Sequence, residues 1–81
     1  MEALDGNAIG GLLREIFAME MTAAQGTCRN CGAVNEVGRL HVYLHAPGTV
    51  VRCPNCDSVL MVFVQARSLI CVDLSGLASL G

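Results

Sequence analysis

The sequence predicts an α+β fold in which an N-terminal amphipathic helix packs on a small antiparallel β-sheet of three to four strands. Three observations predict it. Apolar residues recur at helical spacing up to Met21, the period changes to two after Cys28, and two Cys-x2-Cys turns punctuate the strand candidates. The predicted layout is one domain over 1–81, with a helix at 4–21, a linker at 22–27, the cysteine-bearing sheet at 28–74 and a tail at 75–81.

In the helix, Ile9, Leu12, Leu13, Ile16 and Phe17 form one stripe, while Arg14, Glu15 and Glu20 fall mostly off it. Asp5 is the expected N-cap. Gly10 and Gly11 each cost about 1 kcal/mol relative to alanine inside a helix, so packing must hold it, and their missing side chains would permit a close approach. Leu40, Val42 and Leu44 then alternate with His41, Tyr43 and His45, a half-buried strand ending at a Pro47-Gly48 turn. Val50 to Arg52 returns antiparallel and delivers Cys53. Ser58 to Gln65 is apolar on both faces, as a central strand covered on each side would be. A tight Ala66-Arg67-Ser68 connection leads to a last strand, Leu69 to Leu74.

Composition narrows the function classes. A chain of 81 residues buries only about 60 to 65% of its unfolded surface, so a metal, disulfides or a partner must supplement the core. Glu2 and Asp5 beside Met1 are unlike a secretory signal, and the expected location is cytoplasmic, where paired cysteines serve as metal ligands more often than as disulfides. The longest apolar run, Val59 to Val64, has six residues against the roughly 20 of a membrane-spanning helix, so no membrane contact is expected. Hydrophobic residues make up 53% of the chain, more than one small core hides, which points to a protein partner or a homodimer. The formal charge of −2 weighs against a nucleic-acid backbone as partner.

Cys28-Arg29-Asn30-Cys31-Gly32 and Cys53-Pro54-Asn55-Cys56-Asp57 are two Cys-x2-Cys turns separated by 21 residues. Each turn brings two sulfurs to one point about 2.3 Å from an ion, and two turns complete a tetrahedron, so Cys28, Cys31, Cys53 and Cys56 are the expected ligands of one structural Zn2+. Gly32 and Asp57 follow the second cysteine of each turn, where a left-handed or bridge backbone lets N–H groups face sulfur, which suits Gly32 and is tolerable for Asp57. Four thiolates leave no open coordination position, and neither a catalytic group nor a small-molecule substrate site is evident. The same ligands suit iron in a rubredoxin-like electron carrier, yet Asp57 stands where such carriers have glycine, and their aromatic cluster is missing.

The turns and strands resemble a zinc ribbon of the rubredoxin-like superfamily. Along nearly its whole length the chain is similar to a family of small uncharacterised actinobacterial proteins. The residues carrying that likeness are Leu4 to Ala8, Cys28 and Cys31, Val42-Tyr43 with Ala46-Pro47-Gly48, Arg52 to Cys56, and Asp73-Leu74. The resemblance implies zinc-ribbon architecture and no assigned activity.

Four further readings concern single residues. Cys71 reads as a small buried hydrophobe in the last strand. His41 and His45, four apart on a strand, lie roughly 13 Å from each other and cannot share a metal. With Tyr43 they make an exposed ring-bearing face. Arg29 and Arg52 are expected to offset thiolate charge, with Arg39 completing at most a weak basic patch.

Overall fold

The computed structural model describes residues 4–45 and 48–81. Its elements are β1 (Leu4–Asp5), a 3-10 turn (Gly6–Ile9), α1 (Gly10–Phe17), β2 (Gln25–Cys28), β3 (Val34–Glu36), a second 3-10 turn (Val37–Arg39), β4 (His41–His45), β5 (Gly48–Arg52), β6 (Val59–Ala66), β7 (Leu69–Asp73) and β8 (Leu77–Leu80). The strands form two antiparallel sheets, one of five strands ordered β1-β4-β5-β6-β7 and one of three ordered β3-β2-β8. The α+β expectation therefore holds in outline, but the protein is richer in strand than three to four strands and has two sheets. Among the described residues, no helix is long and apolar enough to cross a membrane.

The helix is shorter than 4–21 for identifiable reasons. Asp5 does cap, its Oδ1 accepting from the Asn7 N–H at 3.1 Å, but what it caps is the 3-10 turn. That turn lies against the second one: a β-carbon on Gly6 would fall on the Val37 carbonyl oxygen. The close approach expected of Gly10 and Gly11 thus occurs at Gly6, and Gly11 faces open space. At its other end α1 stops at Ala18, whose backbone is left-handed (φ 57°) and whose N–H bonds the Arg14 carbonyl at 2.8 Å.

The predicted stripe faces inward. Ile9 and Leu13 are buried with Val42, Val51, Leu60, Met61 and Phe63 of the larger sheet, and Leu12, Ile16 and Phe17 pack partly against them. Each fully buried side chain of this size contributes about 1.5–3 kcal/mol. In β6, Leu60, Met61 and Phe63 are buried, but Val62 and Val64 are only half-buried, so the strand is central without being covered on both faces.

The weakly patterned tail supplies β8. It pairs with β2 through Gly26–Leu80 and Thr27–Ser79 and closes the smaller sheet. β2 itself begins inside the expected linker. The turn expected at Pro47 falls on residues 46 and 47, outside the described residues.

Gly6→Ala should lower the melting midpoint by several degrees, since forcing a methyl into a packed contact costs about 1–3 kcal/mol. Gly11→Ala, in open space on the helix, should raise it by removing a glycine penalty of up to about 1 kcal/mol. Parallel thermal melts of the two variants check both signs.

Candidate metal centre

The two Cys-x2-Cys turns come from different sheets. Cys28 ends β2 and Cys31 follows it, whereas Cys53 follows β5 and Cys56 precedes β6. All four sulfurs lie within 4.8 Å of one another. The Cys28–Cys56 and Cys31–Cys53 sulfur pairs are 3.6 and 3.7 Å apart. A tetrahedron of thiolates about 2.3 Å from a central ion has edges of about 3.8 Å. The cluster therefore has the size a tetrahedral thiolate site requires, and it can hold a metal ion.

The turns repeat each other at an offset of 25 residues. Cys28 N–H donates to the Ala33 carbonyl and Gly32 N–H to the Cys28 carbonyl, both at 2.9 Å. In the second turn, Cys53 N–H donates to the Ser58 carbonyl and Asp57 N–H to the Cys53 carbonyl, again at 2.9 Å. Gly32 (φ 77°) and Asp57 (φ 63°) both adopt the left-handed conformation, one of the two expected of them. At Asp57 that backbone is unfavourable by roughly 1–2 kcal/mol. The Arg52 guanidinium steadies it, donating to the Asp57 carbonyl at 2.9 Å and lying 3.7 Å from its carboxylate.

The sulfurs receive N–H groups, as charge-rich thiolates require. Backbone N–H of Cys31 points at Cys28 Sγ (3.5 Å) and that of Asn55 at Cys53 Sγ (3.4 Å). The side chains cross over: Asn30 Nδ2 donates to Cys56 Sγ at 3.5 Å, and Asn55 Nδ2 to Cys31 Sγ at 3.3 Å. Each asparagine thus serves the last cysteine of the other turn. The sequence reading missed this pair, although its signal was present in the shared pattern Cys-x-Asn-Cys. Ser58 Oγ, 3.3 Å from Cys56 Sγ, is a further contact.

These contacts divide the thiols. The Asn30 amide, with the Ser58 hydroxyl and N–H, holds Cys56 down at about 5. The Asn55 amide and the Ala33 N–H lower Cys31. Burial pushes Cys53 up to about 11. Cys28 and Cys53 are 2% and 1% exposed and belong to the hydrophobic core, whereas Cys31 is exposed and Cys56 half-buried. Each turn therefore anchors one sulfur inside and presents one near the surface.

The arginines do something other than expected. Arg29 donates from Nε to the Ser75 carbonyl (3.0 Å) and from its terminal nitrogen to the Leu77 carbonyl (3.1 Å), tying the first turn to the approach to β8. Arg52 holds Asp57 and lies over the Tyr43 ring, 5.9 Å from its centroid. The groups aimed at sulfur are amides because the arginine heads are taken by carbonyls. Arg39 lies 3.9 Å from Glu36. His41 and His45 stand at opposite ends of β4. Cys71 is exposed on β7, not buried, because none of the described residues covers that edge strand.

Fold and site define a small α+β protein with a four-cysteine cluster of metal-binding dimensions. The chain belongs to a family of unknown function (DUF6510), whose model matches residues 1–81. No curated protein and no solved structure matches it.

Asn30→Ala and Asn55→Ala should each weaken metal binding by about 10- to 100-fold in a chelator competition, the usual size of such supporting contacts. Without its N–H donor the thiol's affinity for a proton rises, so protons displace the metal sooner. The pH of half-release should therefore move upward in both variants, and an unchanged release profile would show that the asparagines leave the sulfurs unaffected.

Proposed function

We propose that Cys28, Cys31, Cys53 and Cys56 bind one Zn2+, that the ion is structural, and that the protein is a non-enzymatic interaction module of the zinc-ribbon type, working in the cytoplasm. The observation carrying this reading is the origin of the ligands, two from each sheet. An ion held there joins two halves that otherwise meet through a small core. Four thiolates fill a tetrahedral ion, so no position is left for water or substrate, and a Lewis-acid role has no place to act. When bound, zinc would supply cross-linking energy. The chain's own residues would orient the sulfurs and shield the inner pair from water.

The interaction role is supported by apolar surface left outside the core. Leu44, Leu69, Ile70 and Val72 are exposed at the end of the larger sheet away from the cysteines. An open cavity of about 560 Å³, lined by Phe17, Met19, Met21 and Leu80 among others, lies beside the helix C-terminus. Apolar surface left exposed outside a core is a feature of proteins that meet another protein.

A rubredoxin-like iron centre is the competing reading, since the same thiolates accept iron. Native mass spectrometry of freshly purified protein separates the two. One zinc per chain in a colourless sample is the expected result, and stoichiometric iron in a red sample would replace the zinc scaffold with an electron carrier.

A further inference from the structure

Among the described residues, β7 ends the five-stranded sheet with no strand beyond it. It joins β6 through the two-residue connection Arg67-Ser68, with Ala66 opposite Leu69, Val64 opposite Cys71 and Val62 opposite Asp73. In an antiparallel ladder closed by such a turn, hydrogen-bonded pairs alternate with non-bonded ones. Leu69, Cys71 and Asp73 therefore direct their backbone groups at β6. Ile70 and Val72 direct theirs outward.

An open edge of this kind is usually shortened, bulged, or guarded by lysine or proline. β7 has none of these features: five residues, an unbroken register with β6, and the sequence Leu-Ile-Cys-Val-Asp. Its side chains are all exposed, Leu69 at 69%, Ile70 at 37% and Val72 at 41%. The other edges are shorter, with two residues in β1, three in β3 and four in β8.

We infer that β7 is a self-pairing edge, and that two copies of the chain join antiparallel through it about a two-fold axis at Cys71. The sequence is complementary to itself in this register. Ile70 meets Val72 of the second copy, and both have free N–H and C=O groups facing the axis. Arg67, at one end of β7, comes to the same end as Asp73 of the second copy, so opposite charges approach at both ends. The result is one sheet of ten strands, five from each copy. The two Cys71 residues face each other as a non-bonded pair, with Cα atoms about 4.5 Å apart, inside the range a disulfide spans. A five-residue strand pair is small beside the roughly 1,600 Å² of a standard interface, so the dimer separates on dilution.

This inference deepens the interaction reading and rests on it, and the test keeps the two apart. Metal-loaded full chain is followed by sedimentation over a concentration series, as wild type and as Ile70→Pro, Val72→Pro and Val72→Lys. The wild type should pass from monomer to dimer. The three variants should weaken dimerisation at least 10-fold while keeping metal content and melting midpoint, since the ladder to β6 does not use the altered N–H groups. Mild treatment with diamide, which takes two electrons and two protons from a thiol pair and becomes a hydrazine, should give a Cys71–Cys71 disulfide that Cys71→Ser abolishes. A protein that stays monomeric with zinc bound would overturn the self-pairing and leave the zinc scaffold standing. A dimer indifferent to Val72→Lys, or one not linked through Cys71, would overturn this edge and this register.

Discussion

Two short turns from two different sheets meet sulfur to sulfur, and most of the architecture follows from that meeting. β2 and β5 each run into a Cys-x2-Cys turn, so the end of a three-stranded sheet is fixed against the end of a five-stranded one. The inner sulfurs, Cys28 and Cys53, lie in the same apolar cluster as Leu13 and Phe63, which makes the thiol cluster and the core one continuous unit. Arg29 extends the link to the C-terminal segment by binding the carbonyls of Ser75 and Leu77. Bringing four charged thiolates together without an ion would be strongly unfavourable, so a convergent, amide-lined arrangement makes physical sense as a cation site.

How far the sequence revealed this depended on whether the signal was local. The cysteine spacing, the left-handed positions at Gly32 and Asp57, and the β4-β5-β6 meander could all be read because each needs only neighbouring residues. β8 could not, since Leu77–Leu80 has little alternation and becomes a strand only by pairing with β2, some 50 residues earlier in the chain. The helix was read too long for a related reason. Its first turn is set by contact between Gly6 and Val37, a constraint that helical periodicity does not carry. Cys71 looked buried because alternation implies a covered face, and an edge strand has no such cover.

The asparagines show the opposite case. Asn30 and Asn55 occupy equivalent places in two turns that repeat at a fixed offset, and each reaches across to the other turn's outer sulfur. The repeat was visible, but its reciprocal character appears only when the turns face each other. This crossing gives the outer sulfurs, which solvent can reach, partners that the buried ones find in the backbone. The cysteine cluster thus lies where the ends of the two sheets meet, while exposed apolar side chains lie at the far end of the larger sheet and an open cavity lies beside the helix C-terminus.

In the proposed scaffold, metal at the four cysteines holds the two sheets together. The most direct test of that role is far-ultraviolet circular dichroism with a thermal melt, taken before and after a strong chelator removes the metal under reducing conditions. The expected result is loss of the strand spectrum and of the cooperative transition, with both restored by one equivalent of zinc. A stripped chain that keeps its spectrum and its melting midpoint would contradict it.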